Sequence, residues 1–117
     1  MIRQAAVVLL FASALAPAAI ATPSHDGVWS VSLVTRSGDC DRSVASQIQV
    51  REGRVNENLL FARIVGSVGG NGAVSLQVLR GGDSLNARGT VSGTRGSGSW
   101  TSPSKNCTGI WTAMKSA

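Results

Sequence analysis

The chain has no tyrosine, only two phenylalanines and a single histidine, and each scarcity removes a class of function. Single-stranded nucleic acid is held by aromatic side chains stacked on bases within a basic groove. Here Phe11 falls in the leader and Phe61 in a strand-like run, while Arg36, Arg42, Arg51, Arg54, Arg63, Arg80, Arg88, Arg95 and Lys105 are spaced singly. Without a basic cluster or stacking platform, no nucleic-acid partner is expected. The lone histidine, His25, sits just ahead of the first strand-like segment, in a leader read as flexible. A Ser, His and Asp arrangement would have to be assembled on a mobile end, so no catalytic site is assigned. Asp39, Asp41 and Asp83 lack the dense oxygen-ligand spacing of a calcium loop, and no metal site is assigned. Asp39 and Asp41 instead read as turn formers on either side of Cys40. The expectation is a protein that is not an enzyme and carries no cofactor.

What the chain does have begins at Met1. Arg3 supplies a positive charge, an apolar run follows from Ala5 to about Leu15, and Pro17 precedes Ala19-Ile20-Ala21. These are the three regions of a secretory signal peptide, with small residues placed for cleavage before Thr22. The apolar stretch falls short of the roughly 20 residues a spanning helix needs, so no membrane anchor is expected after cleavage. Residues 1–21 are therefore read as a signal peptide and 22–117 as one domain, periplasmic or secreted. The whole chain carries a net charge of +5, which loss of Arg3 lowers by one. Such a diffuse positive surface suits solubility and anionic envelope material equally.

A domain this short buries only around two-thirds of its unfolded surface. It holds two cysteines, Cys40 and Cys107, and in an exported chain the simplest reading is one bridge between them. Closing a loop of this length is worth about 4.4 kcal/mol in the chain-entropy model, a large part of a small domain's stability.

Period-2 alternation recurs along the domain and helical periodicity does not. The first strand is expected over Gly27 to Arg36, with Trp29, Val31 and Leu33 facing inward. A second carries Val44, Ile48 and Val50 and ends at a tight turn, Glu52-Gly53-Arg54. A third is expected over Leu59 to Val68, ending at Asn71-Gly72, a hairpin signal because a type I′ turn needs positive φ at both central positions. Further strands run from Ala73 to Arg80 and from about Leu85 to Ser92. Then glycines precede two tryptophans, Gly96 and Gly98 before Trp100, and Gly109 before Trp111. Strand glycines beside large aromatics are expected where a narrow barrel bends or an indole lies across a neighbouring backbone.

The fold class is therefore all-β, a small antiparallel up-and-down barrel of seven or eight strands with one disulfide, a two-sheet sandwich being the alternative. The barrel is preferred because Gly27-Val28-Trp29 and Gly109-Ile110-Trp111 share a spacing, and the cysteines tie the end of the first strand to the start of the last. Closure makes those two strands neighbours. Trp29, Trp100 and Trp111 are candidates for barrel core or for the wall of a ligand cavity, with core filling preferred because few other large side chains point inward.

The Gly-x-Trp opening resembles that of lipocalin-like and avidin-like barrels, and an eight-stranded barrel with one disulfide resembles the periplasmic inhibitors of bacterial metalloproteases. Gly-x-Trp-Ser-Val, Gly-Asp-Cys-Asp, Asn-Gly-Ala-Val, Gly-Ser-Gly-x-Trp and Cys-x-Gly-x-Trp together resemble a group of small secreted proteobacterial proteins. That last resemblance implies the fold and export alone. Two functions follow as expectations: a barrel that binds a protein of the envelope or medium, such as an exported protease it inhibits, or a carrier of a small apolar or planar ligand. Haem is one candidate for the latter, with His25 and Met114 the available axial ligands.

Overall fold

The computed structural model describes residues 24–117. The signal peptide expected over residues 1–21 lies outside the described residues. Eight antiparallel strands follow one another: β1 (Gly27–Ser37), β2 (Ser43–Val50), β3 (Arg54–Asn58), β4 (Arg63–Val68), β5 (Ala73–Arg80), β6 (Asp83–Ser92), β7 (Arg95–Ser102) and β8 (Cys107–Lys115). They form one sheet in the order β2-β1-β8-β7-β6-β5-β4-β3. This is an up-and-down meander rolled on itself into a nearly closed barrel, and the sandwich alternative is discarded.

The first and last strands meet, as expected from the shared Gly-x-Trp spacing. β1 pairs with β8 along most of its length, Leu33 opposite Trp111 and Trp29 opposite Lys115, with one register shift between Thr35 and Ser37. Beside that irregularity Cys40 is bonded to Cys107, 67 positions away, with their Cα atoms 6.2 Å apart. The bridge thus fastens the loop after β1 to the first residue of β8.

The barrel is incomplete between β2 and β3, neighbours in sequence. They meet only at the turn, where Arg51 and Arg54 exchange backbone hydrogen bonds. Glu52 and Gly53 both have positive φ there, as a type I′ turn demands. Two carboxylates hold the seam above and below. Asp26 accepts hydrogen bonds from the backbone N–H groups of Glu52 and Gly53 at 2.7 and 3.0 Å. Glu57 accepts one from the N–H of Gln49 at 2.7 Å, standing in for the missing backbone carbonyl.

One expected element is corrected. The strand read over Leu59 to Val68 is two pieces, because Leu59–Ala62 is a turn in which the Leu59 and Ala62 backbones bond each other. Leu60 and Phe61 are 87% and 73% exposed. A run of four apolar residues looks like a buried strand by hydropathy, yet here it forms a loop tip. The strand that pairs with β4 is the polar Arg54–Asn58, of which only Val55 is buried.

Candidate functional site

The strand register divides the barrel into two ends. At one end lie the start of β1, the turns after Val50, Val68 and Ser92, and the chain's last residues. Trp29, Val50, Val55, Val68, Val74 and Val91 close it off from solvent, all buried. At the other end open the loops 38–42, 59–62, 81–82 and 103–106. The inward side chains there, Leu33, Leu76, Val78 and Leu85, pack against the core but are only partly covered.

The consequence is a cup. A cavity of about 390 Å³ occupies the barrel interior, walled by these leucines and valines together with Val31, Ile64 and the three tryptophans. Its rim carries Asp39, Asp41, Arg80, Asp83 and Lys105. Lys105 reaches Asp83 across the rim at 3.7 Å, an exposed pair of little energetic weight. Volume and lining place the cup within the range of small-ligand sites, which are concave, mostly apolar and about 300 to 1,000 Å³ in size.

The tryptophans are both core and wall. Trp29, Trp100 and Trp111 are 3%, 4% and 5% exposed, and all three line the cavity. Trp111 stands opposite Gly98 on β7, and Trp100 opposite Gly109 on β8. A Cβ at either glycine would approach the facing indole to 2.6 Å, so each ring lies directly on its neighbour's backbone. Each indole N–H then meets a backbone carbonyl: Trp111 donates to Arg88 and Trp100 to Ile110, both at 3.1 Å, and Trp29 to His25 at 2.8 Å. Buried indoles need such a partner, and three fixed rings stiffen the cup's wall.

The leader is corrected by the same contacts. His25 and Asp26 are anchored ahead of β1 by the bonds to Trp29 and to the Glu52-Gly53 turn. His25 lies at the closed end, and neither it nor Met114, which faces out from β8, lines the cup. Axial ligation of haem in the cup from either residue is therefore ruled out by their placement. Asp39 and Asp41 flank Cys40 at the rim and form no catalytic pair with His25, which is at the opposite end. Among the described residues no three His, Cys, Asp or Glu side chains gather where a metal could be held.

Asp26, which holds the Glu52–Gly53 turn and does not line the cup, is the structural residue that sequence reasoning passed over. The N–H groups of Gly53 and Glu52, in that order of weight, hold its carboxyl below the usual 3.8. Its signal in the sequence is indirect: a two-residue turn with glutamate at a positive-φ position benefits from an external acceptor for its bare N–H groups.

Comparison with known proteins adds nothing to this geometry: no family model, no curated protein and no solved structure matches the chain.

Proposed function

We propose that this protein is a non-enzymatic, exported binding module whose barrel cup takes a small apolar or planar ligand. One observation carries the reading: an apolar-walled space of about 390 Å³ lies inside the barrel, lined from Trp29, Val50 and Val68 at one end to Leu33, Val78 and Leu85 at the other. A barrel serving only as a scaffold gains nothing from that space, since unfilled apolar volume forfeits dispersion contacts. A ligand restores them. Export is supported by the Cys40–Cys107 bridge, which oxidising compartments permit. Among the described residues no helix is long and apolar enough to cross a membrane. The protein-binding reading draws on a different feature, the exposed Leu60 and Phe61 at the rim.

The test is a titration of the disulfide-bonded protein with 1-anilinonaphthalene-8-sulfonate and with dodecanoate, read by tryptophan and probe fluorescence. Saturable binding is expected, and Leu76→Trp, which fills the cup from β5, should weaken it at least about tenfold while near-ultraviolet circular dichroism shows the barrel intact. Absence of saturable binding by both probes, or binding indifferent to Leu76→Trp, contradicts the proposal.

A further inference from the structure

The seam that leaves the barrel open also leaves an edge strand without protection, and the edge has a specific chemistry. The backbone N–H groups of Gln49 and Arg51 point toward β3, the former to Glu57 and the latter to Arg54. The two-residue period of a strand then turns the N–H and C=O groups of Gln47, Ala45 and Ser43 the same way. β3 ends at Asn58, level with Gln47 in the hairpin register, and beyond the Arg51–Arg54 bridge no strand among the described residues pairs with β2 on that side. The Thr35 N–H bonds the Arg42 carbonyl on the opposite side, which confirms the parity.

Proteins ordinarily blunt such edges with charges, proline or bulges. β2 has none of these. Its sequence, Ser-Val-Ala-Ser-Gln-Ile-Gln-Val, contains no charged residue and no proline, and its register with β1 is unbroken. β3 across the seam is short and carries Arg54 and Glu57. The unprotected side is β2 alone. Val44 of this strand and the Leu59–Phe61 tip are the most exposed of the large apolar side chains of the described residues on this end.

We propose that β2 is an interface strand through which two copies of this chain pair antiparallel, about a two-fold axis at Ala45. The arrangement is self-complementary atom by atom. Ala45 exchanges both backbone bonds with Ala45 of the second copy, and Ser43 exchanges its bonds with Gln47 of the second copy, using only groups that face the seam. Val44 of each copy lies opposite Ser46 of the other on the inner face. A charged residue within Ser43–Gln47 would face itself or a neighbour across the axis, and there is none, which is the feature that favours a second copy over a charged partner. The added strand occupies the space beside Leu59, Leu60 and Phe61 and covers them, extending the contact beyond a few backbone bonds toward what a stable dimer buries. This rests on the seam, which borders the cup through Val44, Ser46 and Leu59, and its test reads the oligomeric state and not ligand binding.

Sedimentation velocity over a range of concentrations tests it. The disulfide-bonded protein is expected to show a monomer–dimer equilibrium. Ala45→Lys, whose exposed side chain faces outward, sets two cations across the axis and should raise the dimer dissociation constant at least about 100-fold. Gln47→Pro removes a seam-facing N–H while leaving the β1 ladder whole, and should do the same. Circular dichroism and tryptophan emission verify the fold of each variant, and Ala45→Lys decides the matter if Gln47→Pro unfolds. A wild-type protein that stays monomeric to about 1 mM, or a folded Ala45→Lys protein that dimerises as the wild type does, overturns the proposal.

Discussion

The barrel has two junctions that a rolled sheet must make, and they are built in opposite ways. Where the first and last strands meet, β1 and β8 share a nearly continuous ladder, reinforced by the Cys40–Cys107 bridge at the open end. Where sequence neighbours meet, β2 and β3 share only a turn, and two carboxylates stand in for a ladder. Proximity along the chain does not decide which strands pair. Pairing follows what each strand can bury: β8 buries Cys107, Gly109 and Trp111, whereas β3 buries only Val55. The strong junction runs from the closed end to the cup's rim, and the weak one leaves the cup its open flank.

The largest expected effect breaks the strong junction. Replacing Cys40→Ala and Cys107→Ala together should lower unfolding free energy by about 2 to 5 kcal/mol, measured by urea denaturation, because the bridge mainly restricts the unfolded chain. The β content should persist, since the β1–β8 ladder from Trp29 to Thr35 remains. Unchanged stability would show that the ladder closes the barrel unaided.

A smaller, pH-dependent effect belongs to the weak junction. The Asp26 carboxyl is held below its usual value by the N–H groups of Gly53 and Glu52, so its folded state binds a proton less readily than the unfolded chain. Its contribution is therefore full above the ordinary carboxylate value of 3.8 and is lost as pH falls through the lowered one. Thermal melts of wild type and Asp26→Asn should differ at neutral pH, with the wild type higher, and converge in acid. A difference constant with pH would mean that the charge of Asp26 contributes nothing to the turn.

Much of this was legible in the sequence, and the failures share a cause. Alternation in Leu85 to Val91, the glycine turns and the paired Gly-x-Trp strands carry the barrel and the β1–β8 junction directly, because a buried face leaves a period-2 record. β3 leaves no such record: Arg54, Asn56, Glu57 and Asn58 have little strand preference, and the strand exists because its backbone pairs with β4. Conversely Leu59-Leu60-Phe61 has the hydropathy of a core strand and lies at the rim. Hydropathy reports what a side chain prefers, and the open seam is a place where that preference goes unmet. The cup itself was half-visible, since three tryptophans announce a lining but cannot say whether the remaining side chains fill the space.

Amide hydrogen exchange along β2, measured on dilute protein, tests the difference between the two junctions most directly. Ser46 and Ile48 face β1 across Val31 and Trp29 and should be protected, whereas Ala45 and Gln47 face the unpaired seam and should exchange at least about 100-fold faster. Protection that alternates residue by residue within one strand is the predicted result. Uniform protection from Ala45 to Ile48 would mean that β2 and β3 close into a full ladder, and the account of an open seam would be wrong.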